Sequence, residues 1–137
     1  MDLALFAYGT LCLPEVFRRA SGMALASEAA VLPGHRRAYL EGVHYPGIVT
    51  DLACEVDGRL YTGLTERALA ALDAFEGKEY ERVTRTVRAA RGDVAAEVYV
   101  LHPSRAHLLT DRPWDLETFR ATELGLFLKG ERALPAE

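Results

Sequence analysis

An acid stands at position 76, where the local pattern asks for an apolar residue. The stretch Thr65 to Gly77 reads as a short helix, with Thr65 as its cap and Gly77 as its stop. Leu69, Leu72 and Glu76 fall on one face by the i, i+3, i+7 rule. Glu76 also lies in the last turn, where the carboxyl end of a helix is partly negative. An apolar surround and a negative helix end both disfavour an ionised carboxylate, so the pKa of Glu76 is expected to rise towards neutrality. A carboxyl group poised that way suits general acid–base chemistry. Two other readings stay open on the pattern alone. Asp73 flanks the same face and is a second candidate for the inward acid, or Glu76 bends out to water with Arg82 as an ion-pair partner.

A second candidate is Phe6-Ala7-Tyr8-Gly9-Thr10-Leu11. A strand that ends in Gly-Thr before a helix exposes successive backbone N–H groups, which bind an anion or a polarised carbonyl oxygen. Gly9 has no side chain to keep a ligand away from the backbone. The same residues also fit a plain strand-to-turn junction. In the strand that begins after Glu76, Tyr80 and Arg82 share a face by the two-residue period, which lets Tyr80 reach a pocket lined by Glu76. Tyr45-Pro46-Gly47-Ile48 sets an aromatic ring beside a rigid corner, a possible pocket wall.

Other chemistries find little support. His35, His44, His102 and His107 lack metal-ligand spacing, and no cysteine stands with them. Cys12 has no local motif of a thiol nucleophile. Ser21, Ser27 and Ser104 lack the G-x-S-x-G elbow, and there is no P-loop or dinucleotide fingerprint. No metal and no cofactor are expected.

The elements that must position these residues can be sketched. Leu3 to Tyr8 reads as a buried first strand and Pro14 to Ala20 as a brief helix. From Ala24 to Leu40 two β-like runs flank a turn at Pro33-Gly34. Ile48 to Val56 and Leu60 to Leu64 predict a hairpin around Asp57-Gly58. Two strands, Tyr80 to Ala89 and Val94 to Leu101, meet at Arg91-Gly92-Asp93. Asp115 is a good N-cap for a last helix striped by Leu116, Phe119, Glu123 and Leu126 or Phe127. Many strands with few short helices define an α+β domain, a curled or barrel-like sheet with helices outside. A single domain over residues 1–130 with a frayed tail at 131–137 is expected.

Bulk properties narrow the partners. The 137 residues are half hydrophobic and 26% charged, which suits one globular domain with a core of its own. With net charge −4, pI near 5.6 and no basic stripe, nucleic acid is not an expected partner. Fourteen Arg against two Lys reflect coding bias rather than recognition. The opening Met1-Asp2-Leu3-Ala4-Leu5-Phe6 lacks the basic and long apolar regions of a signal peptide, and no apolar run approaches the ~18 residues that span a bilayer. Cys12 and Cys54 lie far apart, as reduced thiols do in a cytoplasm, so a cytoplasmic location without membrane attachment is expected. Oligomeric state is not legible.

Taken in order, these segments resemble the γ-glutamylcyclotransferase-like superfamily and within it the avirulence-induced-gene-like (AIG2-like) branch. The resemblance rests on Phe6 to Leu11 with Pro14-Glu15-Val16, then Leu32-Pro33-Gly34, Tyr45 to Ile48 and Gly63-Leu64. Leu72 to Gly77, Glu79 to Arg82, Val98-Tyr99-Val100 and Trp114-Asp115 with Phe119 complete it. It implies a small mixed β-barrel with a few short helices packed outside and a pocket at one barrel mouth. It also implies intramolecular cyclisation of a small γ-glutamyl substrate, an amine or an amino acid, to 5-oxoproline and the free amine. In the family the acid matching Glu76 moves the proton, and the backbone of the loop matching Tyr8, Gly9, Thr10 and Leu11 holds the glutamyl group; Tyr45 and Tyr80, placed by the pattern, are expected to join them in binding substrate. Cys12, Leu13 and Pro14 depart from the basic and polar residues that follow this loop in relatives acting on γ-glutamyl-ε-lysine. The resemblance therefore describes the glutamyl half of the substrate and leaves the amine open. The alternative is a non-catalytic module that binds small carboxylates on the same fold.

Overall fold

The computed structural model of the chain describes residues 3–43 and 45–122. Met1-Asp2, His44, the helical stripe beyond Thr122 (Glu123, Leu126, Phe127) and the tail expected at 131–137 lie outside the described residues. Five strands carry the fold: β1 (Leu3–Ala7), β2 (Ser27–Tyr39), β3 (Pro46–Leu64), β4 (Tyr80–Ala89) and β5 (Gly92–Leu101). They close in the order β1-β3-β2-β4-β5. All neighbours are antiparallel except β1 and β5, which meet in parallel at Leu5 and Glu97. The result is the expected mixed barrel of an α+β domain.

Alternation along the strands divides the core in two. Phe6, Tyr8, Leu32, Ile48, Val56, Val87 and Val98 form one buried cluster, to which every strand and the loop after β1 contribute. Leu5, Ala7 and Tyr61 point the other way and pack with three helices, α1 (Pro14–Ser21), α2 (Glu66–Glu76) and α3 (Leu116–Thr122). Phe17 of α1 stacks on Tyr61 with ring centroids 3.7 Å apart. No described helix is long and apolar enough to cross a membrane.

Local chemistry sets the helix ends. Pro14 opens α1, where its missing N–H costs nothing, and Gly22 closes it at φ 80°. Thr65 caps α2, its hydroxyl accepting the Ala68 N–H at 3.0 Å. Gly77 ends that helix at φ 75°, a conformation that suits glycine, and its N–H returns to the Asp73 carbonyl. Asp115 accepts the Thr118 N–H at 2.9 Å and so opens α3; that bond holds its carboxyl below the ordinary range.

Two expected turns are instead strand interior. No hairpin forms at Asp57-Gly58, because β3 runs unbroken for 19 residues. A Cβ at Gly58 would lie 2.1 Å from the Ala7 carbonyl oxygen and 2.8 Å from Phe6 Cζ. Glycine is there because β1 crosses at contact distance, not because the chain reverses. Pro33-Gly34 is likewise a bulge within the 13-residue β2. Pro33 pairs with Glu55 and His35 with Thr50, so the register jumps at Gly34, which sits at φ 76°.

Candidate active site

β1 ends at Ala7, and the chain turns through Tyr8 and Gly9 into a single 3-10 turn, Thr10–Cys12. That turn uses the Cys12 N–H on the Gly9 carbonyl and the Leu13 N–H on the Thr10 carbonyl. Its first N–H groups have no intrahelical acceptor, and no side chain caps them. The loop is anchored from behind, since Tyr61 donates its hydroxyl to the Leu11 carbonyl at 2.7 Å.

Glu76 faces this loop from the end of α2. Leu69, Leu72, Phe75 and Glu76 are all buried, so the helix does carry an acid on its apolar face. Glu76 is 8% exposed, and among the described residues no hydrogen bond or ion pair reaches its carboxyl. Burial, and secondarily the nearby Glu79 carboxylate, push its pKa up from 4.5 to about 8. The readings that turn it out to water or pair it with Arg82 are excluded by this burial. Arg82 instead binds Asp73 at 2.8 Å and Glu97 at 2.7 Å. Asp73 also accepts the Tyr99 hydroxyl at 2.8 Å, and its side chain is 43% exposed. The inward acid is therefore Glu76, and Asp73 braces α2 against β4 and β5.

Tyr8, Gly9, Thr10, Leu11, Tyr45, Glu76 and Tyr80 all line one small pocket, together with Phe6, Ala7, Pro46 and Tyr99. Each tyrosine hydroxyl has a partner. Tyr8 donates to the Tyr99 carbonyl, Tyr80 to the Pro46 carbonyl at 2.7 Å, and Tyr45 to Glu79 at 3.3 Å. Burial raises Tyr8 and Tyr80 well above the ordinary tyrosine value, so both remain neutral donors. Gly9 differs from expectation in one respect. The space beside it is filled by protein, for a Cβ there would lie 2.8 Å from Pro46 Cγ. Its lack of a side chain admits the Pro46 ring.

Cys12 does not line this pocket. Its Sγ donates to the Ala7 carbonyl at 3.2 Å, and burial pushes the thiol up to about 12, so it is no nucleophile at neutral pH. Sequence reasoning missed Tyr99 as a lining residue, while Pro46 lines the pocket as the rigid corner beside Tyr45. Alternation within Glu97-Val98-Tyr99-Val100 carries a weak signal for Tyr99, whose neighbour Val98 is core.

A five-stranded mixed barrel, with a buried acid facing a loop of open backbone N–H groups, defines a class of small pocket-bearing α+β proteins. The chain belongs to the family described as Gamma-glutamyl cyclotransferase, AIG2-like, which matches residues 5–116. Protein AIG2 C of Arabidopsis thaliana is 31% identical over 134 residues, covering 94% of this chain and 79% of that protein. Further Arabidopsis relatives, at 34–42% identity, match 58% of this chain and about half of their own length. A solution structure of an Arabidopsis thaliana protein superposes with a TM-score of 0.74 at 30% identity, covering 96% of this chain and 81% of that one. A structure titled Gamma-glutamyl cyclotransferase shares the fold, with a TM-score of 0.67 at 16% identity over all of this chain and 90% of that one.

Proposed function

We propose that this protein cyclises a γ-glutamyl amine or γ-glutamyl amino acid to 5-oxoproline and the free amine, with Glu76 as the proton-transfer residue. The observation that carries the reading is the buried Glu76 carboxyl, without a partner among the described residues and raised to about 8, in one pocket with the Tyr8–Leu11 backbone. A substrate α-ammonium cannot attack, because its nitrogen has no free pair. A carboxylate whose pKa lies near that of an amine is matched to removing the proton. The freed nitrogen then attacks the γ-carbonyl carbon, and charge develops on the carbonyl oxygen. Backbone N–H groups of Gly9, Thr10 and Leu11 receive that charge. Glu76 returns its proton to the departing nitrogen as the C–N bond breaks. Two protons pass in all from the attacking to the departing nitrogen, the second leaving the ring nitrogen as the amine departs. Holding both reacting groups folded in a small pocket supplies the entropic part of the acceleration.

The test is Glu76→Gln, assayed for 5-oxoproline release over a panel of γ-glutamyl amines and amino acids. Turnover should fall by on the order of a thousandfold with the fold intact. Equal release by wild type and variant would remove Glu76 from the reaction. A wild type that is stabilised by 5-oxoproline but turns over nothing on the panel would instead be a carboxylate-binding module.

A further inference from the structure

Arg37 lies on β2 outside the Glu76 pocket, and the chemistry above does not use it. Its side chain is only 17% exposed. Nη1 donates to the Tyr8 carbonyl at 2.7 Å and to the Asp57 carbonyl at 3.0 Å, while Nη2 meets Asp57 Oδ1 at 2.8 Å. The Trp114 ring lies 5.5 Å from the guanidinium carbon. These contacts fix a cation on one particular carbonyl of the loop.

That carbonyl and the Gly9 N–H belong to one peptide unit. No described peptide bond is cis, and in a planar trans unit the C=O and N–H point in opposite directions. The cavities on either side of the loop agree with this. Arg37 lines a separate hollow with Cys12, Gly58 and Arg59 and does not reach the Glu76 pocket. Tyr8 and Gly9 line the Glu76 pocket and not the other. A Tyr8 carbonyl drawn towards Arg37 therefore turns the Gly9 N–H away from Arg37 and from the hollow that Arg37 lines.

We propose that Arg37 is a positioning residue, which through the Tyr8 carbonyl aims the Gly9 N–H at the oxyanion formed in the Glu76 pocket. The proposal rests on the cyclotransferase reading. Orientation is the first effect: a rotated peptide would present its carbonyl oxygen, not its N–H, to the developing negative charge. Polarisation is the second: a cation on the C=O draws electron density from the amide nitrogen and makes the N–H a stronger donor. A guanidinium can hold both this carbonyl and Asp57, whereas a lysine ammonium cannot span the two with the same fork.

The test compares Arg37→Met, Arg37→Lys and Asp57→Asn with wild type. It reads 5-oxoproline release and the ¹H–¹⁵N resonance of the Gly9 amide. Arg37→Met should lower kcat by on the order of tenfold to a hundredfold, with KM little changed, and should move the Gly9 resonance. Arg37→Lys should lose less and shift the resonance less. Asp57→Asn should cost a few-fold at most and leave the resonance in place. An unmoved Gly9 resonance in Arg37→Met overturns the proposal, and so does an Asp57→Asn variant that loses as much kcat. Should Arg37→Met fail to fold, Arg37→Lys against Asp57→Asn decides the same question. A wild type without 5-oxoproline release removes the cyclotransferase reading alone, since the resonance still shows whether Arg37 aims the amide.

Discussion

Tyr80 donates its hydroxyl to the carbonyl of Pro46, and the ring of that same proline lies against Gly9. Three segments far apart in the chain thus interlock at one point. The strand after Glu76 holds the start of β3, and the start of β3 supports the loop after β1. The pocket owes its shape to these contacts between motifs more than to any one of them.

Gly9→Ala should separate that shape from overall stability. The new methyl group meets a proline ring, so the loop must shift while the barrel stays closed. A cost of about 1–3 kcal/mol in urea unfolding is expected, with a loss of turnover out of proportion to it. Combining Gly9→Ala with Pro46→Ala should recover part of the activity. A double variant no better than the single one would mean that Pro46 is not the obstacle.

Gly58→Ala should be worse for folding, because its methyl group meets backbone. The Ala7 carbonyl cannot move aside without opening the β1–β3 seam. Destabilisation beyond about 3 kcal/mol, or failure to accumulate as folded protein, is the expected outcome in thermal and urea melts. A hairpin at this position would accept alanine with far less harm.

Glu76 should impose a pH dependence of definite sign. Its folded pKa is raised from 4.5 to about 8, so between those values the folded state keeps a proton that the unfolded chain gives up. The stability this contributes is full below about pH 4.5 and is lost as pH rises through 8. Glu76→Gln should therefore melt higher than wild type at pH 9, by about 2–4 kcal/mol, and lose that advantage by pH 4. The wild-type rate on a γ-glutamyl substrate should rise through an apparent pKa near 8, and that limb should be missing in the variant.

Asp73→Asn separates the two acids of α2. Arg82 keeps Glu97, while Tyr99 loses its charged acceptor. Because this network is partly exposed, the cost should stay near 0.5–1 kcal/mol, with turnover within a few-fold of wild type. A loss comparable to that of Glu76→Gln would return Asp73 to the chemistry.

Features set by neighbours in sequence were legible in advance. The Thr65 cap, the Gly77 stop and the strand Tyr80 to Ala89 are local, and so is the apolar face that makes Glu76 conspicuous. Features set by distant partners were not. Asp57-Gly58 has the composition of a tight turn, and only the crossing of β1 explains why it lies mid-strand. Pro33-Gly34 marks a bulge for the same kind of reason, through the register between β2 and β3. Arg37 is one arginine among fourteen, and nothing nearby in the chain announces its hold on Tyr8.

The barrel seam between β1 and β5 also bears on how the chain folds. Tyr8 and Tyr99 bond across 91 positions of sequence, and Leu5 pairs with Glu97. Such contacts close late, because the entropy of a long loop must be overcome before they form. The loop after β1 is synthesised first, yet its bond to Tyr99 must wait for β5. A nascent chain halted before β5 would carry Glu76 and the Tyr8–Leu11 segment without the seam that joins their supports. The proposed turnover should thus report complete folding.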